Sequence, residues 1–116
     1  MLRVGARQIA ALRGAATARF ADQVIARLRL DLPRQFGAMA QDQARAKALA
    51  ATRKAQHFGV STEQEVFRFV ALTFVFGDDF LRRDWAVPIL KDPSLTRPSE
   101  RLAVLWEGAP PIAARA

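Results

Sequence analysis

Few residues in this chain have chemistry to offer. His57 is the sole histidine in 116 residues, and the only serines are Ser61, Ser94 and Ser99. Nucleophilic catalysis needs a hydroxyl held beside a base, and Ser61 already belongs to a helix-capping pattern. His57 falls at the end of a helical stretch, where an imidazole meets free carbonyls, so it reads as a helix-end residue and not as a base. Cysteine is absent, which removes thiol nucleophiles, disulfides and zinc-thiolate sites and fits a reducing compartment. Asp78, Asp79 and Asp84 form the densest acidic patch, the type of group that binds a hard cation. Calcium-loop spacing is missing there, and Arg82 and Arg83 stand among the acids, so capping and local ion pairs are the better reading. Glu63 and Glu65 lie two apart on a predicted helix and point in different directions. They suit a helix N-terminus and make a poor acid–base pair. Walker and G-x-G-x-x-G patterns are both missing. The expectation is a non-enzyme with no catalytic, cofactor-binding or metal-ligating residue.

Binding is the chemistry that remains. Net charge is +7 and unevenly placed. Residues 1–54 carry eleven Lys/Arg against Asp22, Asp31 and Asp42, giving +8, while residues 55–116 carry seven against eight, giving −1. A basic half favours an acidic partner: an acidic protein, nucleic acid or anionic lipid. Arg13, Arg19, Arg27, Arg29, Arg34, Arg45, Lys47, Arg53 and Lys54 could track a phosphate backbone. Against that, there is no helix-turn-helix signature, asparagine is absent, and aromatics for base stacking are scarce in this half. Six of the eight phenylalanines fall between Phe58 and Phe80, and between Val66 and Phe76 only Arg68 is charged. Eleven residues cannot cross a bilayer, which takes about 20. The run is therefore core or a surface covered by another protein. Phe67, Phe69, Phe74 and Phe76 cannot all face inward from one short helix. Phe67, Phe74 and Phe80 are expected to be mainly core, with Trp85 and Trp106 as the aromatic anchors of an interface.

The elements that position these residues are helical. Ile9, Leu12, Ala16, Phe20, Val24 and Leu28 recur at spacings of three and four, which predicts a helix over 6–31 that Gly14 could interrupt. Arg13, Arg19, Arg27 and Arg29 lie mostly off that stripe. Pro33 should end the helix, with a short turn or helical piece over 34–40. A second long helix follows over 41–58, its thin apolar side built from Ala44, Ala48, Leu49 and Ala51, so that a neighbour can approach closely. Gly59 sits where a left-handed C-cap belongs. The pattern Ser61-x-x-Gln64 then supplies a capping box for a central, buried helix at about 62–76, stopped by Gly77. Asp78 is placed to cap a helix over roughly 79–91 that ends before Pro93; Pro88 sits in its first turn if the helix starts late, near Trp85, and otherwise kinks it. A final helix spans 98–107. The fold class is all-α, an irregular bundle of four to five helices.

Length and composition fit one domain, residues 1–107, with 108–116 a mobile tail. The segment MLRVGARQIAALRGAATARF is Arg- and Ala-rich and lacks acids, as organellar transit peptides do. No apolar stretch there is long enough for a secretory h-region, and the segment reads as the first amphipathic helix of an Ala/Arg-rich cytoplasmic protein.

The stretch from Phe58 to Leu90 also resembles a known group. Phe58, Gly59, Val60, Gln64 or Glu65, Phe76, Gly77, Asp79, Phe80, Trp85, Ala86, Ile89 and Leu90 match its pattern of a Y-G-(I/V)-x-x-E helix start, with Phe58 in the tyrosine's place, an aliphatic helix, an F-G-x-D-F turn and W-A-x-x-I-L. The basic helix ending at Pro33 matches as well. The group is the short uncharacterised bacterial proteins encoded beside type VI secretion effectors and spike-tip proteins. The resemblance spans roughly 8–91, and its motifs are structural. Leu81-Arg82-Arg83 departs from it, standing where the group has an acidic, proline-containing link. The resemblance implies an accessory protein that binds an effector or spike component: an adaptor or chaperone, or an immunity protein that blocks a cognate toxin. In that setting Trp85 and Trp106 would anchor the partner and Arg27, Arg29, Arg45 and Arg53 would steer it. Self-association and nucleic-acid binding through the basic half are the other partner expectations.

Overall fold

An alanine face sets how closely the helices approach. In the computed structural model, which describes residues 6–36 and 39–110, with side chains from Ala18 onward except at 34 and 35, all regular structure is helical. The chain is an irregular all-α bundle. Helix α1 spans Ala6–Asp31 without a break at Gly14, α2 is the single turn Pro33–Phe36, and α3 spans Gln41–Phe58. Helix α4 spans Glu63–Phe76, α5 is the single turn Val87–Leu90, and α6 spans Pro98–Gly108. Helix α3 packs against both α1 and α4, burying Ala44, Ala48, Ala51, Thr52 and Ala55. Small side chains let the backbones come close, and the one hydroxyl among them, Thr52 Oγ1, donates to the Ala48 carbonyl at 2.8 Å. Leu49 is half-buried beside this seam.

Of the predicted α1 stripe, Val24 and Leu28 are buried and Phe20 is half-buried, joined by buried Ala21, Ile25 and Leu32. Ile9, Leu12 and Ala16, with Arg13 and Arg34, lie outside the residues whose side chains are described. Leu32 N–H still donates to the Leu28 carbonyl at 2.7 Å, and Pro33 then starts α2 as a helix N-terminus tolerates.

Helix α4 is the centre. Eight of its fourteen residues are buried, and it meets α1, α3 and α6. Phe74 stacks on Phe36 at 4.9 Å between centroids, Phe69 stands edge-on to Phe80 at 4.9 Å, and Phe58 meets Phe69 at 5.5 Å. The buried Thr73 hydroxyl donates to the Phe69 carbonyl at 3.0 Å. Among the four phenylalanines of α4, Phe69, Phe74 and Phe76 are buried, and Phe67 alone is left half-exposed. Phe67 is thus no core residue.

Three local expectations need correction. The N-cap of α4 is Thr62 and not Ser61: Thr62 Oγ1 accepts from Glu65 N at 3.2 Å, and Glu65 Oε1 accepts from Thr62 N at 3.3 Å. Both registers satisfy the box locally, and the chain uses the later one, with Glu63 as the first residue of α4. The continuous helix expected over 79–91 is absent. A 3-10 turn, Phe80–Arg82, and α5 replace it; the residue ahead of the turn is Asp79 and not Asp78, and it makes no side-chain cap. Pro88 explains the late start of α5, since its ring is accommodated only in a first turn. At the C-terminus, α6 runs on through Gly108 and Ala109 packs half-buried against the core, so both belong to the folded chain and not to a tail. Residues 111–116 of the expected mobile tail fall outside the described residues.

Gly59 closes α3 with φ +116°. Its N–H donates to the Gln56 carbonyl at 3.1 Å, and the N–H of buried Val60 donates to that of Ala55 at 3.2 Å, a Schellman pair. A Cβ at Gly59 would lie 2.6 Å from Pro98 Cγ, so the first residue of α6 rests on this glycine. Gly59→Ala is therefore expected to cost at least about 2 kcal/mol, from the left-handed backbone plus the clash. Urea denaturation followed by circular dichroism measures it. Ala48→Leu, which wedges α3 from its neighbours, should cost about 1–3 kcal/mol in the same assay.

Candidate protein-binding surface

Most of α4 is covered, which makes its uncovered face informative. Gln64 is exposed and Phe67, Arg68 and Val75 are half-exposed; at spacings of three, four and seven they share one side of the helix. On the α1 side, the Arg27 guanidinium lies 4.6 Å from the Phe67 ring centroid. On the α6 side, the Arg68 guanidinium lies 5.5 Å from the Trp106 ring. Each half-exposed ring is thus topped by a cation, an arrangement attractive through the ring quadrupole. Between α1 and the start of α4 runs an open groove of about 380 Å³. Phe20, Val24 and Phe67 form its apolar lining, and Arg27, Glu63, Gln23 and Gln64 its polar lips.

The sequence-predicted site residues do not converge. Trp106 and Arg27 reach the α4 face. Trp85 turns inward, edge-on to Phe76 at 5.1 Å, and its Nε1 is shielded from solvent with no acceptor among the described residues. It is a packing residue more than an exposed anchor. Arg29 is half-buried and holds the α1–α3 connection. It donates to the Phe36 carbonyl at 3.5 Å, to the Met39 carbonyl at 3.3 Å and to Gln41 Oε1 at 3.1 Å. Arg45 makes a two-pronged ion pair with Asp22, both contacts 2.9 Å, which links α3 to α1. The same pairing holds its guanidinium even more firmly protonated than usual. Arg53 is exposed, away from these groups, with no hydrogen-bond or ion-pair partner among the described residues. Arg29 and Arg45 are thus engaged within the chain. Neither partner is visible in the sequence, because Asp22 and the 36–41 carbonyls come near only once the helices pack.

Sequence reasoning missed Phe67, Arg68 and Phe20 as surface residues. Helical spacing carried a signal: Phe67 lies off the 66–69–70–73 seam. It missed Arg83 too. That side chain donates through Nε and Nη2 to the Phe76 carbonyl at 3.2 and 2.7 Å, capping α4 where Gly77 leaves it. The Leu81-Arg82-Arg83 segment therefore has a structural use here.

Among the described residues no group of three or more His, Asp or Glu side chains is placed to hold a metal ion. None of the described helices is long and apolar enough to cross a membrane. Compared with protein families, characterised proteins and solved structures, the chain matches none.

Glu65 ties the start of α4 to α6. Hydroxyls of Ser99 and Thr62 hold its carboxyl below the usual glutamate range. A carboxylate with a lowered folded pKa contributes stability above its unfolded value, about 4.3, and that contribution is lost as pH falls through the folded value. Glu65→Gln should lower the urea midpoint at pH 7 and flatten its fall between about pH 5 and 3. For Arg83→Ala, loss of the carbonyl cap should cost about 1 kcal/mol at neutral pH in the same titration.

Proposed function

We propose that this chain is a protein-binding accessory module, an adaptor or chaperone for a secreted type VI effector or spike component, acting by surface occlusion. The observation that carries this reading is the uncovered face of α4, where Phe67 and Trp106 remain half-exposed beside an otherwise buried helix. Aromatic rings and arginines are the side chains that dominate protein interfaces, and here they are stacked as Arg27–Phe67 and Arg68–Trp106. Both stacks are held by packed helices, so little conformational freedom is lost when a partner arrives. The resemblance of residues 8–91 to proteins encoded beside type VI effectors supplies the partner class. Arg27 and Arg68 favour a partner with carboxylates around an apolar patch, and Arg53 with Lys54 adds to the steering field.

An immunity protein would use the same surface to cover a toxin. Nucleic-acid binding would rest on the exposed Arg19, Arg53 and Lys54, since Arg29 and Arg45 have partners inside the chain.

The test is co-expression of the tagged chain with candidate type VI effector and spike proteins, purification at low and high salt, and comparison with Phe67→Ala and Trp106→Ala. A one-to-one complex whose dissociation constant rises about tenfold or more for each variant is the expected outcome. Loss of effector export on deletion marks the adaptor, and loss of toxin resistance with export intact marks the immunity protein. Retention of nucleic acid alone, released by salt, would replace this reading with the basic-surface one.

A further inference from the structure

Helix α3 gives one face to the core and leaves the other to charge. Ala44, Ala48, Ala51, Thr52 and Ala55 are buried, and the helix packs on α1 and α4. On the solvent side Ala46, Ala50, Arg53, Lys54 and His57 are exposed at helical spacings of three and four, so they form one strip. Lys47, seven residues before Lys54, borders it, with Nζ 5.1 Å from the Phe74 ring centroid. Arg53 and Lys54 have no ion-pair partner among the described residues. Asp42, in the first turn, is the one acid of the helix, and it accepts from Gln43 N at 3.2 Å. From Lys47 to His57 the helix thus presents three lysine and arginine charges and an imidazole along about 15 Å of axis, with no acid among them.

What this face lacks selects its occupant. Protein interfaces are anchored by aromatic and other large side chains, whereas the exposed apolar residues of α3 are alanines alone. A helix held on a membrane surface inserts large apolar side chains beneath its charges. The exposed large hydrophobic among the described residues, Leu30, stands on α1 instead. Single-stranded nucleic acid is held by bases stacked on open rings, and Phe58, at the end of α3, is half-buried against Phe69. Duplex DNA asks for none of these. It carries one negative charge for about every 1.7 Å of axis, so a row of unpaired cations meets phosphates in any register. A convex helix also fits the wide major groove of B-form DNA, while that of an RNA duplex is deep and narrow. Missing asparagine and a missing helix-turn-helix signature weigh against the reading of bases, which backbone contact does not involve.

We propose that the outer face of α3 is a sequence-independent docking site for duplex DNA, at which Lys47, Arg53 and Lys54 neutralise backbone phosphates and His57 donates a hydrogen bond to one. The site lies on a different helix from the exposed α4 face. It therefore stands apart from the protein-binding reading and adds DNA as a second partner.

The experiment is fluorescence anisotropy of a short labelled DNA duplex titrated with the full chain between about 20 and 200 mM salt. Three neutralised phosphates give a plot of log affinity against log salt a slope of about −3. Arg53→Gln combined with Lys54→Gln should weaken binding at low salt and reduce the slope to about −1. Arg82→Gln combined with Lys91→Gln removes the same net charge from exposed positions outside α3, and should leave the slope near −3. Equal loss of slope in the two double variants makes net charge the cause and overturns the site. Absence of binding at the lowest salt up to about millimolar chain overturns it too. So does equally tight binding of a single strand of the same sequence, of an RNA duplex or of phosphatidylserine vesicles. Should the α3 double variant lose the helical circular dichroism of the parent, Arg53→Gln and Lys54→Gln alone decide, each expected to reduce the slope by about 1. Effector binding is scored separately, by co-purification after nuclease treatment. An effector complex formed by a chain that does not bind DNA overturns this inference alone, and DNA binding without an effector complex overturns the accessory-module reading alone.

Discussion

Everything in this fold answers to the burial of α4. A helix with Val66, Phe69, Val70, Leu72, Phe74 and Phe76 on several sides cannot be satisfied by one neighbour. Three helices, α1, α3 and α6, surround it. The alanine seam of α3 is the solution on one side. With Ala44, Ala48, Ala51 and Ala55 buried, α3 touches both α1 and α4 without holding them apart. The large side chains then come from α4 itself and from Phe36, Phe58 and Phe80, which fill the remaining space as paired rings. Bulk sits on the central helix and smallness on its neighbour, a division that allows dense packing in a short chain.

The turns are held by a second set of interactions with a common form. Arg29 reaches carbonyls at the end of α2, and Arg83 reaches the last carbonyl of α4. Arg101 Nε donates to the Leu95 carbonyl ahead of α6. Each guanidinium sits where carbonyls lack helical partners, and a charged donor serves them better than water does. Arginine content that looks like a reservoir for an acidic partner is thus partly structural, and the positive field left for binding is smaller than +7 implies.

How much is legible in the sequence follows from the range of the forces involved. Gly59, Gly77, Pro33 and Pro98 act on their own backbone, so the boundaries of α1, α3, α4 and α6 can be placed within a residue or two. The alanine seam shows as periodicity. The α4 cap slips by one residue because Ser61-x-x-Gln64 and Thr62-x-x-Glu65 are locally equivalent patterns. The 79–91 segment fails as a continuous helix because Pro88 confines α5 to a late start and Arg83 bonds backward to Phe76. That second contact spans seven residues, and no periodicity encodes it. Composition assigns Phe67 to the core, and its helical neighbours Ala71 and Phe74 are indeed buried; only the exposed Gln64, three residues before it, marks the side on which it emerges. Arg29 and Arg45 read as partner-facing for want of a visible intrachain acceptor, which only tertiary packing supplies.

What remains exposed has a charge pattern of its own. Around the chain the excess is positive, and a partner rich in carboxylates would be drawn to it and released as salt screens the attraction. At the α1–α4 groove the lips balance, because Glu63 stands opposite Arg27. Glu63 has a local use as well, since an acid in the first turn of α4 complements the helix dipole. That use does not require it to stand across an apolar floor from an arginine. Contacts of an acidic protein with Arg53, Lys54 and Arg68 weaken as salt rises.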